Sequence, residues 1–231
     1  MEEPEDTLQD EIGTIMALTL HYHPLSSFCW KVLVPLYENN TPFTAKLVNL
    51  GDEAERKEFY ELWEIGKFPV LHDSTDDRMV PESSIIIEFL DQTYPGKTRF
   101  IPPDPVQARQ TRLRDRFLDL YIHMQMQKIT GDRLRPAGQK DPFGVEQART
   151  QMQTALGLVN EDMASKTWLM GDSFTLADCA ACPALFYANM VQPFGPELKN
   201  VSEYLERLKA RPSFARVLKE AEPYFAMFPK E

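Results

Sequence analysis

Apolar and polar positions alternate in "LTLHYH" (18–23), with the period of a β-strand. Helical spacing follows over residues 26–37, and a serine stands where that helix needs an N-cap. Strands are further predicted over 41–50, 68–73 and 78–81, and helices over 52–63 and 82–94. The order is β-α-β-α-β-β-α. Its first β-α-β unit predicts parallel strands joined by a right-handed crossover. Its last two strands are predicted to form a hairpin.

The second half of the chain has helical periodicity only. Residues 94–105 contain four prolines and a glycine, which is typical of a linker. Asp104 and Pro105 then suit the N-cap and first position of a long helix that we expect to reach about Ile129. Further helices are predicted over 144–165, 175–190, 198–210 and 212–221.

The expected fold class is therefore α/β plus all-α: an N-terminal domain with the order β-α-β-α-β-β-α, followed by an all-helical C-terminal domain. The predicted boundaries are an acidic N-terminal tail over 1–17, the α/β domain over 18–95, a linker over 96–103 and the helical domain over 104–231. A chain of 231 residues is long enough for two such domains.

Charge and cysteine content narrow the function classes. The formal net charge of −10 disfavours nucleic-acid or anionic-membrane partners, because both require a basic surface. No apolar run is long enough to cross a bilayer, and the acidic N-terminus is unlike a signal peptide. Three cysteines, an odd and low number, favour reduced thiols and hence a cytoplasmic protein.

The first candidate for chemistry is Ser26-x-x-Cys29 at the predicted strand-to-helix junction. A helix N-terminus stabilises a thiolate, but a serine at the first position can only hold the thiol of another molecule. A hydroxyl that donates to a bound thiolate contributes roughly 1.5–3 kcal/mol. The alternative is that Ser26 only caps the helix.

Two further elements suit a peptide ligand. A cis bond between Phe68 and Pro69 would turn the main chain of Phe68 outward, where an extended peptide could pair with it. At the next helix start, the first N–H groups and the Ser83 hydroxyl would bind a carboxylate, while Glu82 would bind an ammonium group. The alternative for Glu82 and Ser83 is an ordinary N-cap. Together the three elements indicate glutathione, which has a thiol, a main chain and an amino-acid head.

The two halves of the chain resemble those of a known protein family. Residues 18–94 resemble the thioredoxin-like half of cytosolic glutathione S-transferases, in particular bacterial, serine-type members. "FTLADCAACPAL" (174–185) resembles the capping signature of their helical half, with Thr175 and Asp178 as its S/T-x-x-D box. The resemblance implies a homodimer that conjugates glutathione, its co-substrate, to a small and largely apolar electrophile in detoxification, without a metal.

The resemblance also implies residue roles. Ser26 matches the catalytic, thiol-activating position, and Phe68, before Pro69, matches the residue that pairs with the cysteinyl main chain. Glu82 and Ser83 match the γ-glutamyl contacts. Lys67 is placed to reach the glycyl carboxylate. Phe28, Tyr121 and Met124 are candidates for the second-substrate pocket.

Several alternatives stay open. Many bacterial members have a proline where Ser27 stands, so Ser26 and Ser27 compete for the thiol-activating role. "SSFCWKV" is also similar to the zeta class of glutathione-dependent isomerases, which have a cysteine where Phe28 stands. A glutathione-dependent isomerase or dehalogenase and a non-catalytic ligand-binding module are therefore the alternative functions. Cys29 is expected either to form mixed disulfides or to pack, while Cys179 and Cys182 are expected to pack in the core.

Overall fold

The computed structural model describes residues 17–229. The acidic tail predicted over residues 1–17 therefore lies, except for Ala17, outside the described residues. No helix between residues 17 and 229 has both the length and the apolar character that a bilayer span needs.

The first seven elements follow the predicted order. They are β1 (Leu18–Tyr22), α1 (Ser27–Glu38), β2 (Thr44–Leu47), α2 (Glu53–Leu62), β3 (Val70–Asp73), β4 (Arg78–Pro81) and α3 (Ser83–Thr93). The strands form one sheet in the order β2-β1-β3-β4. β1 pairs with β2 in parallel, whereas β3 runs antiparallel to both β1 and β4. The predicted parallel unit and the closing hairpin are both confirmed.

Beyond α3, the elements that the described residues form are helices, as predicted. The α-helices are α4 (Pro105–Leu118), α5 (Met124–Arg133), α6 (Pro142–Asp162), α7 (Leu176–Val191), α8 (Lys199–Ala210) and α9 (Pro212–Ala221). Asp104 caps α4 by accepting from the N–H groups of Val106 and Gln107, as its sequence position indicated.

The long helix expected to end near Ile129 differs in two respects. It reaches Arg133, and a single π turn over Asp119–His123 separates α4 from α5. Both ends of that turn are held by α1: Asp119 contacts Lys31, and His123 contacts Ser27. Tertiary contacts with α1 therefore account for the extra residue in this turn. Helical periodicity alone does not predict it.

Helix α1 is the central helix of the fold. Every residue from Cys29 to Leu36 is buried, as expected for a helix that is apolar on nearly all sides. The Trp30 ring packs on Tyr187 of α7, with 4.7 Å between centroids, and on Phe214 of α9, at 6.1 Å. Its indole N–H donates to the Pro24 carbonyl at 2.5 Å, which fixes the loop that leads into the helix.

The capping box of α7 is present as predicted. Asp178 accepts from the backbone N–H of Thr175 and of Leu169, each at 2.9 Å, and from the Tyr204 hydroxyl at 2.6 Å. Cys179 and Cys182 are fully buried on this helix, as expected of core residues. One carboxylate thus satisfies donors from three segments of the helical domain.

Replacing Asp178 by Ala would leave these buried donors without an acceptor, so we expect the free energy of unfolding to fall by about 3–5 kcal/mol. Urea denaturation measures this loss. The control is Asp104→Ala, which removes an exposed cap and should cost about 1 kcal/mol. Equal losses in the two variants would contradict a special role for the buried box.

Candidate active site

Ser26 is the N-cap of α1. Its Oγ accepts from the Cys29 backbone N–H at 3.4 Å. Because the hydroxyl oxygen is the acceptor in that bond, its hydrogen remains available to a second group. Both interpretations made from the sequence are therefore compatible here: Ser26 caps the helix and still has a donor to offer.

Cys29 lies one turn into α1 and has no exposed surface. Burial raises the pKa of its thiol to about 12, although a hydrogen bond with Ser26 partly opposes that shift. A thiol of this kind is not ionised near neutral pH and is inaccessible to disulfide exchange. The packing role is the one that this burial supports.

Ser27 differs from its neighbour in its surroundings. Its side chain is nearly buried, and its Oγ lies 2.5 Å from Nε2 of His123, at the end of the π turn. The fully buried His123 ring also stacks on Phe28, with 4.0 Å between ring centroids. The first turn of α1 is thus held in place from the helical domain.

A cavity of about 410 Å³ opens beside the two serines and is called here the serine cavity. Its lining residues are His23, Leu25, Ser26, Ser27, Phe68, Met126, Gln127, Thr130, Gly131, Tyr187 and Phe228. The aromatic C-terminal segment closes one side of it, because Phe228 stacks on Tyr187 at 5.4 Å. Residues of the helical domain, among them Met126, Tyr187 and Phe228, therefore share this cavity with the two serines.

A second cavity of about 260 Å³ lies at the start of α3 and is called here the α3 cavity. Its lining residues are Phe28, Trp63, Lys67, Phe68, Pro69, Glu82, Ser83, Ser84, Arg116, Asp119, Leu120 and Met124. All five residues predicted for glutathione therefore meet in one place. Phe68 lines both cavities, so the two adjoin there, and the Phe68–Pro69 bond is cis as predicted.

The structure separates the three residues predicted for a second substrate. Phe28 and Met124 line the α3 cavity. Tyr121 lines neither cavity: it lies within the π turn, is 42% exposed and packs on Phe117. A larger cavity, of about 570 Å³ between α4 and α6, contains none of the predicted site residues.

Glu82 has an unusual backbone. Its φ of 70° is in a region that non-glycine residues rarely adopt, and such a conformation costs about 1–3 kcal/mol. It occupies the N-cap position of α3, yet its side chain makes no capping hydrogen bond. The N-cap interpretation of Glu82 therefore has no hydrogen bond to support it, and the exposed carboxylate stands at the rim of the α3 cavity.

Lys31 is a fully buried lysine beside this cavity. Its Nζ lies 2.6 Å from Asp115, 2.7 Å from Asp119 and 2.9 Å from the Ser84 hydroxyl. Three oxygen atoms from three elements thus surround an ammonium group that has three hydrogens to donate. Burial raises the pKa of Asp119, and the attraction of Lys31 only partly offsets this because Asp115 adds a second negative charge.

Sequence reasoning missed several residues of the site: Lys31, Ser84, Asp115, Arg116, Asp119 and His123. One signal was available for them. Lys31 is a charged residue in the apolar run "CWKVLVPL", and Asp115, Asp119 and His123 recur every four residues, which places them on one helical face. A buried lysine needs such partners.

Lys31→Met would leave Asp115 and Asp119 buried without a cation, so we expect a loss of about 3–5 kcal/mol in the free energy of unfolding, measured in urea. Adding Asp119→Asn should recover part of that loss. Lys209→Met breaks an exposed pair with Glu206 and should change stability by less than about 1 kcal/mol. A similar, small effect in both lysine variants would contradict the importance of the buried network.

Two family models match the chain. Residues 20–98 match the N-terminal domain of glutathione S-transferases, and residues 119–212 match the C-terminal domain. A glutathione S-transferase from Pseudomonas putida is 24% identical over 217 residues, which cover 91% of this chain and 96% of that protein. A probable maleylacetoacetate isomerase from Caenorhabditis elegans is 25% identical over 194 residues, covering 80% and 86%.

A solved structure has the same fold. It is a glutathione S-transferase from Methylobacterium radiotolerans in complex with glutathione sulfonate, with a TM-score of 0.76 and 26% identity. The match covers 87% of this chain and 93% of that one. The family, the fold class and the enzyme class predicted from the sequence are thereby confirmed. The chain belongs to the glutathione S-transferase family.

Proposed function

We propose that this protein conjugates the thiolate of glutathione to a small, largely apolar electrophile. In this reaction the thiol first loses its proton to solvent. The sulfur then forms a bond to an electrophilic carbon, and the bond from that carbon to its leaving group breaks. Glutathione supplies the nucleophile, while the protein supplies ionisation and proximity.

The observation that carries the proposal is the start of α3. A strained Glu82 that does not cap its own helix leaves the first-turn N–H groups for another acceptor. An amino-acid head suits this place, with its carboxylate at the helix N-terminus and Ser83, and its ammonium group at Glu82. Lys67 and Arg116 line the same cavity and offer cations for the glycyl carboxylate.

The cysteinyl part of glutathione would then pass Phe68, which is common to both cavities. Its main chain would pair with that of Phe68, as in strand addition. The thiol would reach the serine cavity, where the Ser26 hydroxyl donates to the thiolate and lowers its pKa. One such bond is worth about 1–2 pKa units, enough to ionise much of a thiol of ordinary pKa at neutral pH.

An apolar electrophile would bind in the serine cavity. Met126, Tyr187 and Phe228 line that cavity together with Ser26 and supply apolar surface. Phe28 and Met124 would contact the tripeptide in the α3 cavity instead. This division assigns the tripeptide mainly to the N-terminal domain and the electrophile mainly to the helical domain.

The test is calorimetric titration with glutathione, together with turnover of 1-chloro-2,4-dinitrobenzene, on the same protein. We expect the wild type to bind and turn over. Ser83→Ala should weaken glutathione binding roughly 10- to 100-fold through loss of a charge-assisted bond. Ser26→Ala should retain binding but lower turnover about tenfold or more near neutral pH, because the thiol is then less ionised.

The matched control is Ser202→Ala, which removes a hydroxyl that donates to the Leu198 carbonyl at the start of α8. It should change neither binding nor turnover. Absence of glutathione binding by the wild type at millimolar concentration would refute the proposal. Binding without turnover would shift it towards a ligand-binding module or another glutathione-dependent reaction.

A homodimer is part of the proposal. Ile85 on α3 and Leu113 on α4 are 54% and 59% exposed, which leaves apolar surface for a second copy. Sedimentation equilibrium should give twice the mass of the chain. Ile85→Lys together with Leu113→Lys should shift the protein towards the monomer, whereas a wild-type monomer at micromolar concentration would contradict the dimer.

A further inference from the structure

We infer that His123 orients the Ser27 hydroxyl as a second hydrogen-bond donor to the bound glutathione thiolate. This inference rests on the proposed function and deepens it. Ser27 is then a catalytic residue beside Ser26, and His123 is a positioning residue that acts through Ser27. The two serines, which compete for one role in the sequence, share that role in the fold.

The first observation is where Ser27 lies. It borders the serine cavity together with Ser26 and Phe68, so a thiol that reaches Ser26 also comes near Ser27. Its Oγ is 2.5 Å from His123 Nε2, a contact that joins α1 to the helical domain. The Ser27 side chain therefore has one fixed partner on the protein side and a cavity on the other.

The second observation is an orphan atom on the imidazole. Nδ1 of His123 is buried, and it has no hydrogen-bond partner among the residues that the structure describes. A buried N–H without an acceptor is rarer than a buried acceptor without a donor. We therefore assign the ring hydrogen to Nε2, which donates to the Ser27 oxygen.

This tautomer determines what Ser27 does. Since its oxygen accepts from His123, its own hydrogen is directed elsewhere, and the open side is the serine cavity. A hydroxyl that accepts one hydrogen bond donates a stronger second one, because the bonds polarise each other. The opposite tautomer would have Ser27 donate to Nε2, and no hydrogen would then remain for a thiolate.

His123 is uncharged, which agrees with a positioning role. It does not act as the base that removes the thiol proton. Burial, and after it the positive charge of Lys31, lowers the pKa of His123 to about 3. The ring is therefore neutral over the working range of pH and does not take the thiol proton, which leaves for solvent. Stacking on Phe28 and the π turn hold the ring plane in place.

The experiment measures the pKa of the bound thiol from the ultraviolet absorbance of the thiolate as a function of pH. The variants are Ser27→Ala, His123→Phe, their double variant and His123→Gln. We expect Ser27→Ala and His123→Phe each to raise that pKa by about one unit. The double variant should do no more than either single change, because both remove the same bond.

Two variants separate this effect from loss of structure. His123→Gln keeps a donor amide near Ser27 and should restore at least part of the lowered thiol pKa, which a purely structural defect would not show. Thr111→Val removes a buried hydroxyl that bonds only to the Gln107 carbonyl within α4, and it should leave the thiol pKa unchanged.

The outcomes separate this inference from the proposed function. If the thiol keeps its wild-type pKa in Ser27→Ala and His123→Phe but not in Ser26→Ala, the inference is overturned and the proposed function stands. An additive double variant would also overturn it, because His123 would then not act through Ser27. A wild-type protein that does not lower the pKa of bound glutathione would overturn both.

Discussion

The position of the site depends on one buried ammonium group. Lys31 has no exposed surface, and removing such a charge from water costs several kcal/mol unless oxygen atoms replace the lost hydration. The replacements come from Ser84 in α3 and from Asp115 and Asp119 in the helical domain. Folding therefore fixes the start of α3 against both α1 and α4, and α3 begins with the residues proposed to bind the glutamyl head.

The same interface carries a second contact four residues away. Ser27 and Lys31 lie one turn apart on α1, while His123 and Asp119 lie at the two ends of the π turn. Each polar group on one side has its partner on the other, so the register between the two segments is set by charge and hydrogen bonding. A shift by one residue would leave the buried lysine without its carboxylates. The cost in folding free energy would be far larger than the cost of misplaced apolar side chains.

Sequence reasoning recovered most of the fold because local signals determine it. The alternation at Leu18–Tyr22, the Asp104–Pro105 helix start and the Thr175–Asp178 box each depend on nearby residues only. The π turn and the partners of Lys31 depend on contacts between residues far apart in the chain: Lys31 is 53 positions from Ser84 and 88 positions from Asp119. No local pattern encodes such contacts. Tyr121, a candidate for the second-substrate pocket, lies within the π turn and lines neither cavity. Helical periodicity does not predict such a turn.

The acidic character of the chain and the anionic ligand proposed for it are compatible for an electrostatic reason. The formal charge of −10 is spread over the whole protein, and charges farther apart than about 8 Å are largely screened at physiological salt. The ligand's carboxylates would respond instead to the helix N-terminus at Ser83 and to Lys67 and Arg116 at the cavity. Net charge therefore governs the rate of encounter more than the affinity, and the site can select an anion that the protein as a whole repels.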